Sequence, residues 1–298
     1  MEWVIKTDKL TKKYGKQTAL DEFNIHVKKG DVHALIGPNG SGKTTLVRIL
    51  MGTSWATSGS FSLFGVEDPK RISEERKKIG TLIETPKFYD MKSAYDNLDL
   101  ICEMRGIKDK SVINNVLNSV GLSGVGGKHV GKYSLGMKQR LGLAKAIIHK
   151  PELLILDEPI NGLDPAGVAE IRKMIISFRE SGITVVIASH ILKELTEVAN
   201  HYTIIKNGRV YDDFSADELS KKCNKWIEIT TENSDIALNI LRGEFKNIES
   251  VDGLLRIYDC SMDMDKVIKI LSNNNISIRG CIEKTSDLES YYLNITKE

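Results

Sequence analysis

The eight residues Gly37-Pro38-Asn39-Gly40-Ser41-Gly42-Lys43-Thr44 constrain this chain more than any other feature. The apolar run Val32 to Ile36 leads straight into them, and Thr44 to Met51 comes next with Leu46, Ile49 and Leu50 at helical spacing. Strand, loop and helix therefore succeed one another in the order that a phosphate site requires. Glycines at 37, 40 and 42 let the backbone curl so that successive amides point inward, and the helix start adds its positive dipole end. Lys43 is expected to reach the β- and γ-phosphates of ATP or GTP, and Thr44 to offer its hydroxyl to Mg²⁺. Pro38, Asn39, Ser41 and Thr45 complete the expected cradle.

A second run, Leu153-Leu154-Ile155-Leu156-Asp157-Glu158, is an apolar strand that ends in two carboxylates. In a parallel sheet both would lie at the carboxyl edge beside the phosphate loop. Asp157 is expected to hold Mg²⁺, directly or through water. Glu158 would orient and help deprotonate the attacking water, a task for a carboxylate near the γ-phosphate but off the metal. The strands Leu153 to Leu156 and Thr184 to Ala188 bracket a helix over Ala166 to Glu180, the β-α-β alternation of a parallel sheet. Between the two motifs, Ala94 to Val120 carries helical spacing and reads as an inserted helical subdomain.

Earlier in the chain, Val4 to Asp8 and Glu22 to Val27 carry strand patterning, and the Ser/Thr/Gly stretch Gly52 to Ser60 ends the helix after the loop. After the charged run Ser215 to Lys225, the pattern becomes β-α-β-β-α-β: Trp226 to Thr230, Ser234 to Arg242, a hairpin around Asp252-Gly253, Met264 to Leu271, and Ile276 to Ile282. That order is compatible with a small ferredoxin-like unit, closed by a last helix holding Leu288, Tyr291, Tyr292 and Ile295. The expected division is 1–215, with the helical insert over about 86–150, and 216–298.

Lys and Arg total 42 against 40 Asp and Glu, a net charge of +2, which gives no support for a nucleic-acid partner. No apolar run approaches the roughly 18 residues of a membrane span, and Met1-Glu2-Trp3 does not open a signal sequence, so neither insertion nor export is expected. Cys102, Cys223, Cys260 and Cys281 lack metal-ligand spacing and read as reduced thiols. Of the six histidines, only His190 sits in a context that suggests chemistry.

Tyr133-Ser134-Leu135-Gly136-Met137-Lys138-Gln139-Arg140 stands just upstream of the carboxylate strand. With it, residues Val4 to Tyr211 resemble an ATP-binding-cassette (ABC) ATPase, with the motifs in that family's order. The resemblance implies an α/β P-loop NTPase with a RecA-like core, an antiparallel β subdomain and a helical subdomain. It also implies that Ser134 and Gly136 form the signature loop that closes over ATP held by a second cassette, although Ser134 would equally serve as an ordinary helix cap. Leu135 stands where many members have glycine. By the same resemblance Tyr14 stacks on adenine, Asp164 belongs to the loop that communicates between cassettes, and His190 is the switch histidine at the γ-phosphate.

Glu84, in Ile83-Glu84-Thr85-Pro86, departs from the family's usual glutamine, and a carboxylate there could bind metal or water. Glu84, Phe88-Tyr89, Ser134-Leu135-Gly136-Met137 and the tail Asp287 to Leu293 resemble the bacitracin and lantibiotic export and self-immunity branch. This resemblance implies a homodimeric ATPase that uses ATP and Mg²⁺ at the cytoplasmic face of a bacterial membrane and powers separate integral permease subunits. The alternative is a soluble ABC ATPase not coupled to transport. For the C-terminal unit, dimer contact, partner contact and stabilisation all fit.

Overall fold

Strand β1 (Trp3–Tyr14) is long enough to pair with three others: β2 (Gln17–Phe23), β3 (His26–Lys28) and β5 (Ser58–Leu63), all antiparallel. The computed structural model describes residues 2–83, 86–222, 225–258, 264–285 and 287–296 and divides into two units, Met1–Ala216 and Asp217–Glu298. The sequence pattern predicts one strand over Glu22 to Val27, but the chain breaks there. The Asn24 amide donates to the Glu22 carbonyl while its Oδ1 accepts from the Lys9 amide, both at 2.8 Å, and this local bonding turns the chain between β2 and β3. β5 begins inside the stretch read as a helix terminator. Its serines hide the pattern, since only Ser62 and Leu63 are buried.

All five residues of β4 (Val32–Ile36) are buried, which suits a parallel strand covered on both faces. The phosphate loop then leads into α1 (Lys43–Leu50), followed by α2 (Ile72–Glu75) and β6 (Ile79–Ile83). The helical pattern of 94–120 is two helices, α3 (Ala94–Arg105) and α4 (Ser111–Ser119). Ser93 and Asp96 form a reciprocal capping box at the start of α3, and Gly106 at φ 68° ends it in the left-handed region. Ser134 caps α5 (Leu135–Ile147), whose C-terminal half lies close on β6. A Cβ at Gly80 would stand 2.1 Å from the Ala146 carbonyl oxygen.

The remaining elements of this unit are β7 (Leu153–Asp157), α6 (Pro165–Glu180), β8 (Thr184–Ser189), α7 (Leu192–Thr196), β9 (His201–Lys206) and β10 (Arg209–Ser215). Among the described residues the main sheet has the order β10-β9-β4-β8-β7-β6, parallel except for β10. Its core joins Leu35, Ile155 and Val186 of the sheet to Leu46, Val47 and Leu50 of α1 and to Leu10, Leu20 and Phe23 of the smaller sheet.

After α8 (Ala216–Lys222), the second unit holds β11 (Lys225–Thr231), α9 (Ser234–Leu241), β12 (Ile248–Val251), β13 (Leu254–Ile257), α10 (Met264–Asn273), β14 (Ile278–Thr285) and α11 (Leu288–Thr296). Its antiparallel sheet has the order β12-β13-β11-β14. Ile227, Ile229, Leu255 and Ile257 pack against Leu241 of α9 and Leu271 of α10. Glu228 is buried and ion-paired to both Lys284 and Arg256, and the Lys284 hydrogen bond holds its carboxyl below the usual range.

His149, after α5, donates from Nε2 to the Ile79 carbonyl at 3.2 Å and has no partner at Nδ1. Burial, with Arg105 nearby, pushes its pKa down to about 4. The folded chain therefore keeps His149 neutral where the unfolded chain protonates it, and stability falls as pH drops from 6.5 towards 4. Urea unfolding at pH 7 and pH 5 should show a loss of about 1 kcal/mol from this group, solvent screening included. His149→Gln should lose that share of the pH dependence; an unchanged slope would show that His149 does not carry it.

Candidate active site

Two of the loop glycines have backbones that other residues rarely adopt, Gly40 at φ 83° and Gly42 at φ 113°. A Cβ at Gly42 would also meet the Ala19 carbonyl oxygen at 2.6 Å. At Gly37 the φ is ordinary, but a Cβ would lie 2.5 Å from the Ile205 carbonyl oxygen and from Ser41 Oγ. The loop thus needs glycine for conformation at 40 and 42 and for space at 37.

Lys43 is only 5% exposed, and its ammonium donates to the carbonyls of Gly37 at 2.6 Å and Pro38 at 3.2 Å. Burial lowers its pKa against the opposing pull of Glu158 and Asp157. The Thr44 hydroxyl donates to Asp157 Oδ2 at 2.8 Å, tying the start of α1 to the end of β7. Ser41 Oγ is buried with no hydrogen-bond partner. Hydroxyl and carboxylate oxygens at 44 and 157 form a hard donor set of the kind that Mg²⁺ takes.

Glu158 stands beyond β7 at φ 51°, uncommon for a residue with a side chain. Its amide donates to the Ala188 carbonyl at 2.8 Å. Ser189 Oγ donates to Glu158 Oε2 at 3.2 Å and His190 Nδ1 donates to Oε1 at 2.9 Å, so the last residue of β8 and its successor aim this carboxylate. Gln139 of α5 donates to the Pro159 carbonyl at 2.8 Å and anchors the next turn. A carboxylate held by a histidine can accept a proton from water.

A cavity of about 310 Å³ opens over the loop, lined by Tyr14, Asn39, Gly40, Gly42, Lys43, Thr44, Thr45, Asp157 and Glu158. Gln17 and Ala19 also line it. They come from the β1–β2 hairpin and carry no sequence signal, because folding alone brings that hairpin over the loop. Tyr14 is half exposed, with its hydroxyl 3.3 Å from Ser54 Oγ. Gly37, Pro38 and Ser41 shape the loop from behind, and His190 reaches the site through Glu158. Glu84 lies outside the described residues.

Ser134, Gly136 and Asp164 do not join this cavity. They line a separate cleft of about 360 Å³ with Leu135, Arg140, Gly162 and Leu163. The Ser134 hydroxyl caps α5, accepting from the Met137 amide at 3.2 Å, and Asp164 caps α6, accepting from the Gly167 amide at 3.0 Å. Leu135 is 42% exposed at the mouth.

Residues 20–161 match the family model described as ABC transporter. The bacitracin transport ATP-binding protein BcrA of Enterococcus faecalis is 39% identical over 295 residues, covering 98% of this chain and 96% of that protein. The lantibiotic transport ATP-binding protein SrtF of Streptococcus pyogenes is 45% identical over 207 residues, covering 70% of this chain and 89% of its own length. Among solved structures, cbiO1 from Clostridium perfringens, part of the ABC transporter complex cbiONQ, is 28% identical with a TM-score of 0.66, covering 73% of this chain and 90% of that one. A nucleotide-free ATP-binding cassette from an ABC transporter gives 26% identity and a TM-score of 0.65, over 73% and 93%. With an intact phosphate loop, a paired carboxylate edge and relatives of this likeness along its whole length, the chain belongs to the ATP-binding proteins of ABC transporters, ATPases coupled to transport.

Proposed function

We propose that two copies of this chain close around ATP and that the cycle drives separate membrane permease subunits to export a peptide antibiotic of the bacitracin or lantibiotic kind. The observation that supports this most directly is that one chain carries two half-sites with no lining residue in common, the phosphate cavity and the Ser134–Asp164 cleft. A two-fold pair would place each cleft over the other copy's phosphate loop, making two equivalent composite sites. The substrate class rests on the bacitracin and lantibiotic relatives.

In this reading the amides of Gly37–Thr45 and the Lys43 ammonium hold the phosphates, and Tyr14 stacks on adenine. Thr44 and Asp157 would hold Mg²⁺, with Glu84 as a further oxygen donor. Bound there, the ion would neutralise charge on the β- and γ-phosphates. Glu158 takes the proton of the attacking water, and His190 orients that carboxylate and reaches the γ-phosphate. From the partner copy, Ser134 and the amide of Gly136 close the site.

A groove of about 520 Å³ in the helical part is lined by Phe88, Tyr89, Leu100, Ile101 and Met104, with Lys87, Glu103 and Lys145 also along it. Tyr89 is 65% and Met104 84% exposed, so this apolar surface is available to a permease loop at the cytoplasmic face. No helix among the described residues is long and apolar enough to cross a membrane.

Mixing two inactive variants tests the composite site. Lys43→Ala disables a chain's own loop and Ser134→Arg disables what it lends. Random pairing leaves one intact site in half of the dimers, so about a quarter of wild-type ATPase activity should return; no recovery in mixed dimers confirmed by pull-down would rule the arrangement out. Glu158→Gln should bind ATP, accumulate as a dimer and hydrolyse about 100-fold more slowly or worse. Turnover at the wild-type rate would remove Glu158 as the base. For transport, affinity purification of the tagged chain from solubilised membranes should recover a multispanning protein, and its absence would favour an ATPase not coupled to transport.

A further inference from the structure

Three polar side chains meet at the amino-terminal end of β4, away from the phosphate loop. His33 comes from β4, His201 from β9 and Asp213 from the edge strand β10, and each offers one ligand atom within 4.8 Å of the other two. Strand register brings them together, because His33 pairs with His201 across β4 and β9, while Asp213 pairs with Thr203 across β10 and β9. His33 lies four residues before Gly37, about 13 Å of extended chain from the start of the phosphate loop.

The hydrogen bonds draw both imidazoles towards one carboxylate. Thr203 Oγ1 donates to Asp213 Oδ1, so the 2.7 Å contact between His33 Nε2 and Thr203 Oγ1 has the ring nitrogen as donor. His201 Nε2 donates to Asp213 Oδ2 at 3.2 Å. The two rings lie side by side, with centroids 4.6 Å apart and planes tilted by 33°. His33 is fully buried, and its Nδ1 has no partner. Exposure rises outward, with the His201 side chain at 19% and Asp213 at 37%, which leaves an entry path from solvent.

We infer that His33, His201 and Asp213 form a binding site for a divalent transition-metal ion of the Zn²⁺ class. Two neutral imidazoles and one carboxylate suit a borderline cation such as Zn²⁺ and do not suit Mg²⁺, which takes an all-oxygen shell. Ligand bonds of about 2.0–2.1 Å need the three atoms to draw in to roughly 3.4 Å of one another, with the metal taking the place of the Thr203 bridge at His33 Nε2. Solvent completes the fourth position on the Asp213 side. The ion pins the edge hairpin β9–β10 to β4, and its role is structural.

The test uses the full chain, stripped with EDTA and desalted. Addition of Zn²⁺ should load one equivalent and raise the melting temperature by several degrees, and Mg²⁺ alone should not reproduce that rise. Co²⁺ as a probe should give tetrahedral d–d bands without sulfur-to-metal charge transfer, which separates this site from any cysteine site. His201→Gln and Asp213→Asn, both reaching the surface, should each weaken Zn²⁺ binding by about tenfold or more. ATP binding by these variants should stay at the wild-type level, which shows that they fold. Failure of the wild type to take up Zn²⁺, or wild-type affinity in both variants, would show a hydrogen-bond network only and overturn the site.

Discussion

The nucleotide side of this molecule depends on the parallel pairing of β4, β8 and β7. Ile36 is level with Ser189, and Ala188 is level with Asp157. The phosphate loop that begins at Gly37, the Ser189-His190 step and the Asp157-Glu158 pair therefore leave the sheet at one edge, on strands about 4.8 Å apart. A slip of one residue in either pairing would turn Asp157 to the other face and take it away from Thr44. Apolar packing on both faces fixes that register, since each residue of β4, β7 and β8 is buried.

Two deviations from regular structure then prepare the edge for chemistry. Glu158 leaves β7 in a left-handed conformation, which costs an ordinary residue about 1–2 kcal/mol. Its amide bond to Ala188 holds that conformation, and the turn places its carboxylate between Ser189 and His190. Lys43 is the second case. Its burial lowers the pKa, the pull of Glu158 and Asp157 opposes that shift, and the carbonyls of Gly37 and Pro38 hold the side chain's nitrogen within the curve of the loop.

What could be read along the chain is what lies contiguous in it. The loop Gly37–Thr44 and the strand ending in Asp157-Glu158 are local patterns, and each includes the strand that positions it. Tyr14 was legible only through the family resemblance, while Gln17 and Ala19 gave no signal because the β1–β2 hairpin reaches the cavity by folding over it. The break at Asn24 and the strand β5 escaped for local reasons, a side chain that bonds to the backbone in one case and alternate serines in the other. His33 and His201 carried no signal because they lie far apart in the chain, and only the pairing of β4 with β9 makes them neighbours.

That pairing also joins the two ends of the sheet mechanically. The hairpin β9–β10 carries His201 and Asp213 at its open end and the Asn207-Gly208 turn at its tip, with φ of 52° and 76°. The Gly208 amide donates to the Ser41 carbonyl at 3.0 Å, and its carbonyl accepts from the Asp21 amide at 2.9 Å. A Cβ at Gly208 would stand 2.7 Å from the Ala19 carbonyl oxygen, so the tip fits closely against both the phosphate loop and the wall of its cavity. Among the described residues β10 is an edge strand, paired with another strand only at β9. Whatever fixes the open end of this hairpin to β4 therefore limits how far its tip can move, and the tip is one of the supports on which the curvature of the phosphate loop rests.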